Sequence, residues 1–319
     1  MGNTKKIQLI ERLSIIIGDV KNMELPYLRI SLTDNCNAKC AFCHNEGQRK
    51  RNNDNISLRK YSEVATLFAP FFTSPPYVVL TGGEPLLADN LFEVIKVFKS
   101  CNYKVGLTTN GIALNENKQK LLIDTGLDTI NISLNSLNEE KYRDFYNVDK
   151  LSVVKNNLKT LDKYFKNHKK KINWIVTKEV DFDEEISNLC ELSKDLKFVI
   201  SPLFDIKLDE KEVLQLLDKL KTKLGILYGK PNIRKITEHK RYKEYFEFEN
   251  GAIVWEFDNL RTVENSFSLK NNNYCKDCPE DIKKTCYEGA YALRLSAKGT
   301  FRPCLNREDN NFRINEIIQ

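Results

Sequence analysis

No long hydrophobic run occurs in this chain of 319 residues. Its longest apolar stretches, such as YVVL at 77–80 and SIIIG at 14–18, are far shorter than the roughly 20 residues that cross a bilayer. The N-terminal MGNTKKIQ also lacks the apolar core of a signal peptide. We therefore expect a cytoplasmic protein with no membrane partner.

Internal repeats and low-complexity segments are absent too, and neither sign of charge dominates. Basic residues number 50 and acidic residues 44, which gives a net charge of +6. The hydrophobic share of 41% and the charged share of 29% are ordinary for a globular protein. The basic run KNHKKK at 166–171 is interpreted as a solvated helix end and turn. No nucleic-acid partner is expected.

Cysteine is distributed unevenly along the chain. The nine cysteines are not expected to form disulfides in a cytosolic protein. Cys101 and Cys190 stand alone and are interpreted as small packed hydrophobic residues. The other seven fall into two groups, within 36–43 and 275–304, and these groups are the candidates for metal chemistry.

Strand-like and helix-like segments alternate from residue 27 to residue 223. The candidate strands are 27–33, 77–83, 104–111, 128–136, 171–178 and 197–204. Such alternation predicts a parallel sheet with helical crossovers. Six β/α units are fewer than the eight that close a full barrel. The predicted fold is therefore of the α/β class, an open partial (β/α)6 TIM barrel.

The character of the sequence changes after about residue 224. Segments 245–257 and 292–305 are typical of β-hairpins, and the first has Asn250 and Gly251 at its turn. The predicted organisation is an N-terminal helix within 1–26, a barrel at 27–224 and a small α+β domain at 225–319 that carries the second cysteine group.

The polar motifs follow successive predicted strands. Three cysteines follow the first strand, GGEP follows the second, TTNG follows the third, and Ser133 and Asn135 end the fourth. In a parallel barrel the loops after the strand C-termini carry the ligand site. We therefore expect one site at this end of the barrel.

The three cysteines lie in the segment DNCNAKCAFCH at 34–44. Structural zinc normally takes four ligands. Cys36, Cys40 and Cys43 supply three, and His44 adjoins Cys43 too closely for both to reach one ion readily. Three thiolates suit a cubane iron–sulfur cluster whose fourth iron has no protein ligand.

These motifs together resemble the radical S-adenosylmethionine (radical SAM) superfamily. The resemblance rests on Cys-x3-Cys-x2-Cys with Phe42 before its last cysteine, followed in order by TGGEP, TTNG and NISLNS. It implies that Cys36, Cys40 and Cys43 hold a [4Fe–4S] cluster whose open iron binds SAM. The positions that the resemblance implies for SAM contacts are Phe42, Gly82, Gly83, Glu84, Thr109, Asn110, Ser133 and Asn135.

The same resemblance implies an activity. Reductive cleavage of SAM would give a 5′-deoxyadenosyl radical that takes hydrogen from a bound substrate. An electron donor such as flavodoxin or ferredoxin would be a partner. No catalytic acid or base stands out in the sequence.

The second cysteine group comprises Cys275, Cys278, Cys286 and Cys304. The element Cys286-x12-Gly299-x4-Cys304 resembles the start of the SPASM and twitch auxiliary-cluster domains. Because no further cysteine follows Cys304, the likeness is to a twitch domain, which implies a second [4Fe–4S] cluster with these four residues as candidate ligands. A four-cysteine zinc site remains open on spacing alone.

Two longer segments resemble the GTP 3′,8-cyclase family of molybdenum-cofactor biosynthesis. They are LRISLTDNCNAKCAFC at 28–43 and LRLSAKGTFRPCL at 293–305. Arg29, Lys171 and Arg294 match nucleotide-contacting positions of that family and are the candidate substrate contacts. Val79 and Ala292 stand where that family has arginines.

Three functions remain open. Because buried phosphates need paired cations, the loss of arginines favours an enzyme acting on a peptide or small molecule of a specialised biosynthetic pathway. The first alternative is nucleotide cyclisation of the GTP 3′,8-cyclase type. The second is a non-catalytic iron–sulfur or zinc-binding module, which is disfavoured because all the SAM motifs are present.

Overall fold

The computed structural model describes residues 27–43, 56–72, 74–205, 207–238, 241–258, 273–280, 282, 292–304, 307–309 and 311–318. The predicted N-terminal helix within 1–26, His44 and Cys286 lie outside these ranges. None of the helices within them combines the length and apolar character that a membrane span requires.

Twelve strands and nine helices are defined in the described part of the chain. The strands are β1 (Leu28–Ser31), β2 (Tyr77–Thr81), β3 (Lys104–Thr109), β4 (Thr129–Ser133), β5 (Lys169–Val176), β6 (Val199–Phe204), β7 (Asn232–Glu238), β8 (Arg241–Phe248), β9 (Ile253–Asp258), β10 (Leu293–Leu295), β11 (Thr300–Arg302) and β12 (Phe312–Arg313). The helices are α1 (Leu58–Phe68), α2 (Leu91–Ser100), α3 (Glu116–Asp124), α4 (Glu139–Tyr146), α5 (Leu151–Tyr164), α6 (Phe182–Leu196), α7 (Glu210–Tyr228), α8 (Asn273–Lys276) and α9 (Ile314–Ile317). Three short 3-10 turns lie at Ala69–Phe71, Pro85–Leu87 and Glu249–Gly251. Helices α1, α8 and α9 and strands β7 and β12 were not predicted.

The first six strands lie side by side in chain order, and every neighbouring pair among them is parallel. A helix connects each strand to the next, as right-handed β/α crossovers require. The predicted α/β partial barrel is therefore confirmed.

Apolar residues alternate along these strands and form one face against the helices. In β5 this face carries Ile172, Trp174 and Val176, each completely buried. Burial of such side chains stabilises the fold by about 1.5–3 kcal/mol each. The opposite face of the same strands lines the inside of the barrel and is largely polar, which leaves room for a site.

The interpretation of the basic run at 166–171 as a solvated helix end and turn was wrong for its last three residues. Its last three lysines begin strand β5 rather than a solvated turn. Lys170 lies on the helix-facing side, where it pairs with Asp162 and lies 5.5 Å from the centre of the Phe198 ring. Lys169 and Lys171 face the inside of the barrel. A strand start cannot be distinguished from a helix end by charge alone, because both tolerate lysine.

The C-terminal region extends the barrel sheet at both edges. Strand β10 pairs in parallel with β1, and β9 pairs in parallel with β6. The hairpins β8–β9 and β10–β11 are antiparallel, and both were predicted. Helix α7 runs across the predicted domain boundary at 224–225.

The two isolated cysteines pack as the sequence suggested. Cys190 is buried, and its Sγ accepts a hydrogen bond from Trp255 Nε1 at 3.3 Å. Cys101 follows α2 directly and packs against the core. Neither residue lies among the motif residues.

Candidate active site

Two glycines bring the end of β2 against the start of the cysteine loop. The Gly83 amide donates to Thr33 O at 2.7 Å, and the Glu84 amide donates to Asn35 O at 2.7 Å. A Cβ on Gly83 would lie 2.3 Å from Asn35 O, and one on Gly82 would lie 2.5 Å from Thr33 O. Gly82 also has a φ of +141°, which favours glycine. The absence of side chains at these two positions thus lets the end of β2 approach the cysteine loop closely.

Helix α4 holds the other side of the cysteine loop. The Ala41 amide donates to Phe145 O at 2.9 Å, and the Lys39 amide donates to Tyr146 O at 3.0 Å. The Phe42 ring packs edge-on against Phe145 and Tyr146, with centroid separations of 6.1 and 5.8 Å. Phe42 therefore anchors the loop through apolar packing, which adds a role to the SAM contact that the resemblance implies.

The carboxylate of Glu84 links the ends of β2 and β3. It is buried and accepts hydrogen bonds from Thr109 Oγ1 at 2.6 Å, the Asn110 amide at 2.9 Å and the Leu86 amide at 3.1 Å. Burial raises the pKa of Glu84, and the three donors oppose that rise. GGEP and TTNG are thus joined in a single hydrogen-bonded unit.

Asn110 extends this unit to the cysteine loop. Its Nδ2 donates to Asn37 Oδ1 at 2.8 Å and lies 3.9 Å from Cys36 Sγ. Its Oδ1 accepts from the Ile112 amide at 3.0 Å, which fixes the orientation of the amide group. Three of the predicted motifs therefore meet at Cys36.

Strand β4 supplies the fourth motif. Asn135 is buried, and its Oδ1 accepts a hydrogen bond from the Ile175 amide at 3.0 Å. Its Nδ2 is buried with no hydrogen-bond partner among the described residues. Ser133 is half-buried just before it, with its carbonyl accepting from Tyr146 at 2.9 Å. An unsatisfied buried donor is costly, so Asn135 fits a ligand that brings an acceptor.

The donor set of the loop fits an iron–sulfur cluster. Cys36, Cys40 and Cys43 are not joined in disulfides. Burial raises the pKa of Cys40 to about 12, and the neighbouring Cys43 and Cys36 add to the rise. Three coupled thiolates need a compensating cation, and a metal deprotonates such thiols. As they stand, no three metal-binding side chains converge on one point within the described ranges. Cys43 is exposed.

An apolar patch forms part of the inner face of the barrel. Tyr27, Val79, Ala292 and Tyr77 pack together there, and the two tyrosine rings lie 5.9 Å apart. Tyr77 reaches across Gly106 to Thr129, with 3.1 Å between their oxygens. Val79 and Ala292, where the resemblance implied arginines, therefore belong to one apolar patch.

Cations flank this patch in a single row of strand register. The row runs Arg302, Arg294, Arg29, Val79, Gly106, Thr129 and Lys169. Residues in one row of a sheet project to the same face. Arg294 and Arg302 are buried, and Arg29 is half-buried. Two predicted substrate contacts, Arg29 and Arg294, are thus direct neighbours.

The third predicted contact, Lys171, belongs to a separate cluster of charges. Its Nζ pairs with Glu256 of β9, which is completely buried. Lys169 and Lys243 lie 3.3 and 3.7 Å from the same carboxylate. Glu238 pairs with Lys243 at 2.6 Å. Lys171 of β5 is therefore separated from Arg29 of β1 by three strands of the sheet, and it already has an anionic partner.

Burial and charge shift the pKa values in this cluster in opposite directions. Burial lowers the pKa of Lys171 to about 8, although Glu256 opposes the change. Burial also opposes ionisation of Glu256, but Lys171, Lys243 and Lys169 together hold its pKa well below the usual value. The three lysines thus favour the ionised form of Glu256 inside the barrel.

Sequence reasoning missed the residues that surround Lys171. Lys169, Glu238, Lys243 and Glu256 come from four strands, of which β7 was not predicted. Only the pairing of β9 with β6 and β8 brings Glu256 beside β5. The one available signal was alternation along 253–258, which places Glu256 among apolar neighbours.

The second cysteine group is described in part. Cys304 is buried and packs against Cys275. The Cys278 amide donates to Cys275 O at 3.2 Å. Three of the four predicted ligands are thus placed by the structure, and Cys286 lies outside it. Their role as cluster ligands stays a prediction.

Comparison with known proteins identifies similar chains. The family model described as the Radical SAM superfamily matches residues 30–193. A GTP 3′,8-cyclase of Clostridium perfringens is 30% identical over 304 residues, which cover 88% of this chain and 86% of that protein. A probable GTP 3′,8-cyclase of Pyrococcus horikoshii is 30% identical over 293 residues, 89% of this chain and 84% of the relative.

Solved structures share the fold at lower identity. The crystal structure of Streptococcus suis SuiB bound to precursor peptide SuiA superposes with a TM-score of 0.61 and 15% identity. The match covers 96% of this chain but only 65% of the SuiB chain. Native anSMEcpe with bound AdoMet gives a TM-score of 0.60 at 17% identity, over 92% of this chain and 80% of that one.

Proposed function

Because the chain belongs to the radical SAM superfamily, we propose that it is a SAM-dependent enzyme that acts on a purine nucleotide by a reaction of the GTP 3′,8-cyclase type. The observation that supports a nucleotide is the pairing of Arg29 with Arg294 on the inner face of the barrel. Two guanidinium groups side by side match the geometry of phosphate.

Nucleotide chemistry has more support than the peptide or small-molecule substrate that the sequence favoured. The relatives that match over most of their length are named GTP 3′,8-cyclases. The peptide-bound neighbour shares only the fold, at 15% identity. This similarity does not indicate that the two proteins share a substrate. The sequence argument against GTP was that Val79 and Ala292 replace two arginines. A nucleotide with fewer phosphates than GTP would need fewer cations, so the argument does not exclude it.

The motif residues would hold the cofactors at the other end of the barrel interior. The bound [4Fe–4S] cluster and SAM supply the 5′-deoxyadenosyl radical for this family of reactions. Cys36, Cys40 and Cys43 would ligate the cluster, and Asn110 would orient Cys36. Asn135 Nδ2 would donate to a SAM oxygen. A small redox protein such as a flavodoxin or ferredoxin is the proposed electron donor.

Nucleotide-dependent turnover tests the proposal. Protein reconstituted anaerobically with iron and sulfide is mixed with SAM, dithionite and GTP, GMP or no nucleotide. We expect one of the nucleotides to increase 5′-deoxyadenosine formation and to be consumed. The Cys36→Ala variant should lose both signals. Formation of 5′-deoxyadenosine that no purine nucleotide changes would overturn the nucleotide proposal and leave the family assignment intact.

We also propose that the second cysteine group holds an auxiliary [4Fe–4S] cluster. The contact between buried Cys304 and Cys275 supports this, since both must face one metal centre. Iron analysis of the reconstituted protein should give about eight irons per chain, from two cubane clusters. Cys304→Ala should halve that number. A tightly bound zinc ion that survives the reconstitution would contradict the proposal in favour of the four-cysteine zinc site.

A further inference from the structure

A buried carboxylate is bonded to the loop that carries Asn135. Glu185 belongs to the first turn of α6 and is only 3% exposed. Its Oε1 accepts a hydrogen bond at 2.7 Å from Oγ of Ser136, which is completely buried. Its Oε2 is enclosed and has no hydrogen-bond partner among the described residues. Ser136 follows Asn135 directly, so Glu185 contacts the residue next to a predicted SAM contact.

The Ser136 hydroxyl is held on two sides. A hydroxyl group has one proton to donate, and Glu185 accepts it. A lone pair of the same oxygen accepts from the Asn138 amide at 3.1 Å. The carboxylate on α6 therefore determines how the hydroxyl is turned, and with it how the loop after β4 is folded.

Both chain neighbours of Asn135 are fixed as a result. Before it, the Leu134 amide donates to Asn173 O at 3.1 Å, and after it comes Ser136. The Asn135 side chain is attached through its Oδ1, which accepts from the Ile175 amide at 3.0 Å. These attachments leave the unpartnered Nδ2 group pointing in a single direction.

Stability alone does not explain why this acid is buried. A buried carboxylate oxygen without a partner is costly. Burial raises the pKa of Glu185, and Ser136 and Lys141 oppose the rise. Lys141 pairs more closely with Glu184, whereas it lies 3.7 Å from Glu185. The contact that distinguishes Glu185 from its neighbour is therefore the bond to Ser136.

We propose that Glu185 is a positioning residue for SAM, which fixes Ser136 and thereby aims the Asn135 amide at the cofactor. The inference rests on the SAM dependence of the function proposed above and not on the choice of nucleotide. The role requires an oxygen that accepts from Ser136, and it does not require a negative charge.

The cysteine loop should not depend on this bond. Helix α4 holds that loop, and Asn138 caps α4 with its own side chain, which accepts from the Glu140 and Lys141 amides at 3.0 and 3.2 Å. Substitution of Glu185 leaves this cap in place. Iron incorporation should therefore stay at the wild-type level when SAM binding weakens.

Equilibrium dialysis of the anaerobically reconstituted holoprotein with SAM tests the proposal. Glu185→Leu removes the acceptor at similar side-chain size and should raise the dissociation constant of SAM about fivefold, which corresponds to the loss of one hydrogen bond. Glu185→Gln keeps an acceptor oxygen and should stay within about twofold of the wild type. Iron content is measured for each variant.

A double variant shows whether Glu185 acts through Asn135. Asn135→Ala should raise the dissociation constant of SAM about tenfold by removing the donor. Adding Glu185→Leu to Asn135→Ala should weaken binding by less than about twofold more, because residues that act through one contact are not additive. A merely structural role would instead give losses that multiply, together with a lower iron content.

Glu116→Leu is the matched control. It also removes an acid from the first turn of a helix, where exposed Glu116 pairs with Lys163 at 3.0 Å, and it should leave SAM binding unchanged. Ser136→Ala removes the same bond from the other side and should reproduce the effect of Glu185→Leu. It decides the question should Glu185→Leu fail to fold.

The outcomes separate this inference from the proposed function. Unchanged SAM affinity in Glu185→Leu or in Asn135→Ala, or losses that multiply in the double variant, overturns only the role of Glu185. A wild type that binds SAM but responds to no purine nucleotide overturns the nucleotide proposal and leaves the role of Glu185 standing. A reconstituted wild type that binds no SAM overturns the proposed function, and the role of Glu185 falls with it.

Discussion

Glu84 holds the end of β3 in place, because its carboxylate accepts from Thr109, Asn110 and Leu86 in one buried position. In Glu84→Gln an amide NH2 would replace one acceptor and face a donor. Leaving buried groups unsatisfied costs about 1–3 kcal/mol. We therefore expect Glu84→Gln to lower the free energy of unfolding by that amount in urea titrations of the protein without cofactors.

Glu63→Gln is the control for this substitution. Glu63 pairs with Arg59 at 2.9 Å on the outside of α1, and exposed pairs of this kind contribute about 0.3–0.5 kcal/mol. An unfolding midpoint for Glu84→Gln that matches the control would show that Glu84 does not link the two strand ends.

Lys171 should make the stability of the fold depend on pH. Its pKa is about 8 in the folded chain against 10.5 for an ordinary lysine. Between these values the unfolded chain binds the extra proton, so the free energy of unfolding rises with pH through this window. The destabilising effect is present in full below pH 8. Relative to Lys171→Met, the wild type should gain at most about 1 kcal/mol per pH unit above pH 8.

Urea unfolding of both proteins from pH 7 to pH 9.5 measures this difference. Contributions from lysines and tyrosines outside the cluster around Glu256 cancel in the comparison, because both proteins contain them. Parallel stability curves for the two proteins would show that Lys171 titrates like an exposed lysine.

At the scale of elements, the end of β2 can contact the cysteine loop only because Gly83 has no side chain. A Cβ at Gly83 would lie 2.3 Å from Asn35 O and 2.8 Å from Asp34 O, and both atoms are backbone. We expect Gly83→Ala to cost about 2–3 kcal/mol through steric overlap and to reduce iron incorporation at the loop.

Gly225→Ala gives the opposite expectation within the same chain. Gly225 lies inside α7 with nothing within 4 Å of its added Cβ, so alanine should stabilise the helix by about 0.4–1 kcal/mol. Thermal unfolding and iron content of the two variants would be compared. Full iron content in Gly83→Ala would mean that the loop forms without this close contact.

Motifs that lie next to each other in sequence could be predicted, whereas contacts between distant strands could not. The strand ends that carry Cys36, Glu84, Asn110 and Asn135 were predicted because β/α alternation places them at one end of a parallel sheet. The partner of Lys171 was not, because Glu256 reaches it only through the pairing of β9 with β6. No local pattern specifies which strand completes a sheet edge.

The whole sheet depends on the C-terminal region at both of its edges. Strand β10 covers β1, and β9 covers β6, each in parallel. Covering is required because an open edge leaves unpaired backbone groups and invites aggregation. The same two strands carry Arg294 and Glu256. These two residues therefore reach their positions only when both edges of the sheet are paired.

Truncation after residue 224 is therefore expected to destroy the barrel rather than release it. The fragment 1–224 would lose four residues of α7 and leave the edges of β1 and β6 unpaired. The core residue Ile200 of β6 would then lose its neighbour on β9, Trp255. We expect it to aggregate, or to show no cooperative thermal transition by circular dichroism. The full chain under the same conditions is the control. A monomeric fragment with a sharp transition would instead establish residues 27–224 as an independent domain, because its two edges would then be stable without β9 and β10.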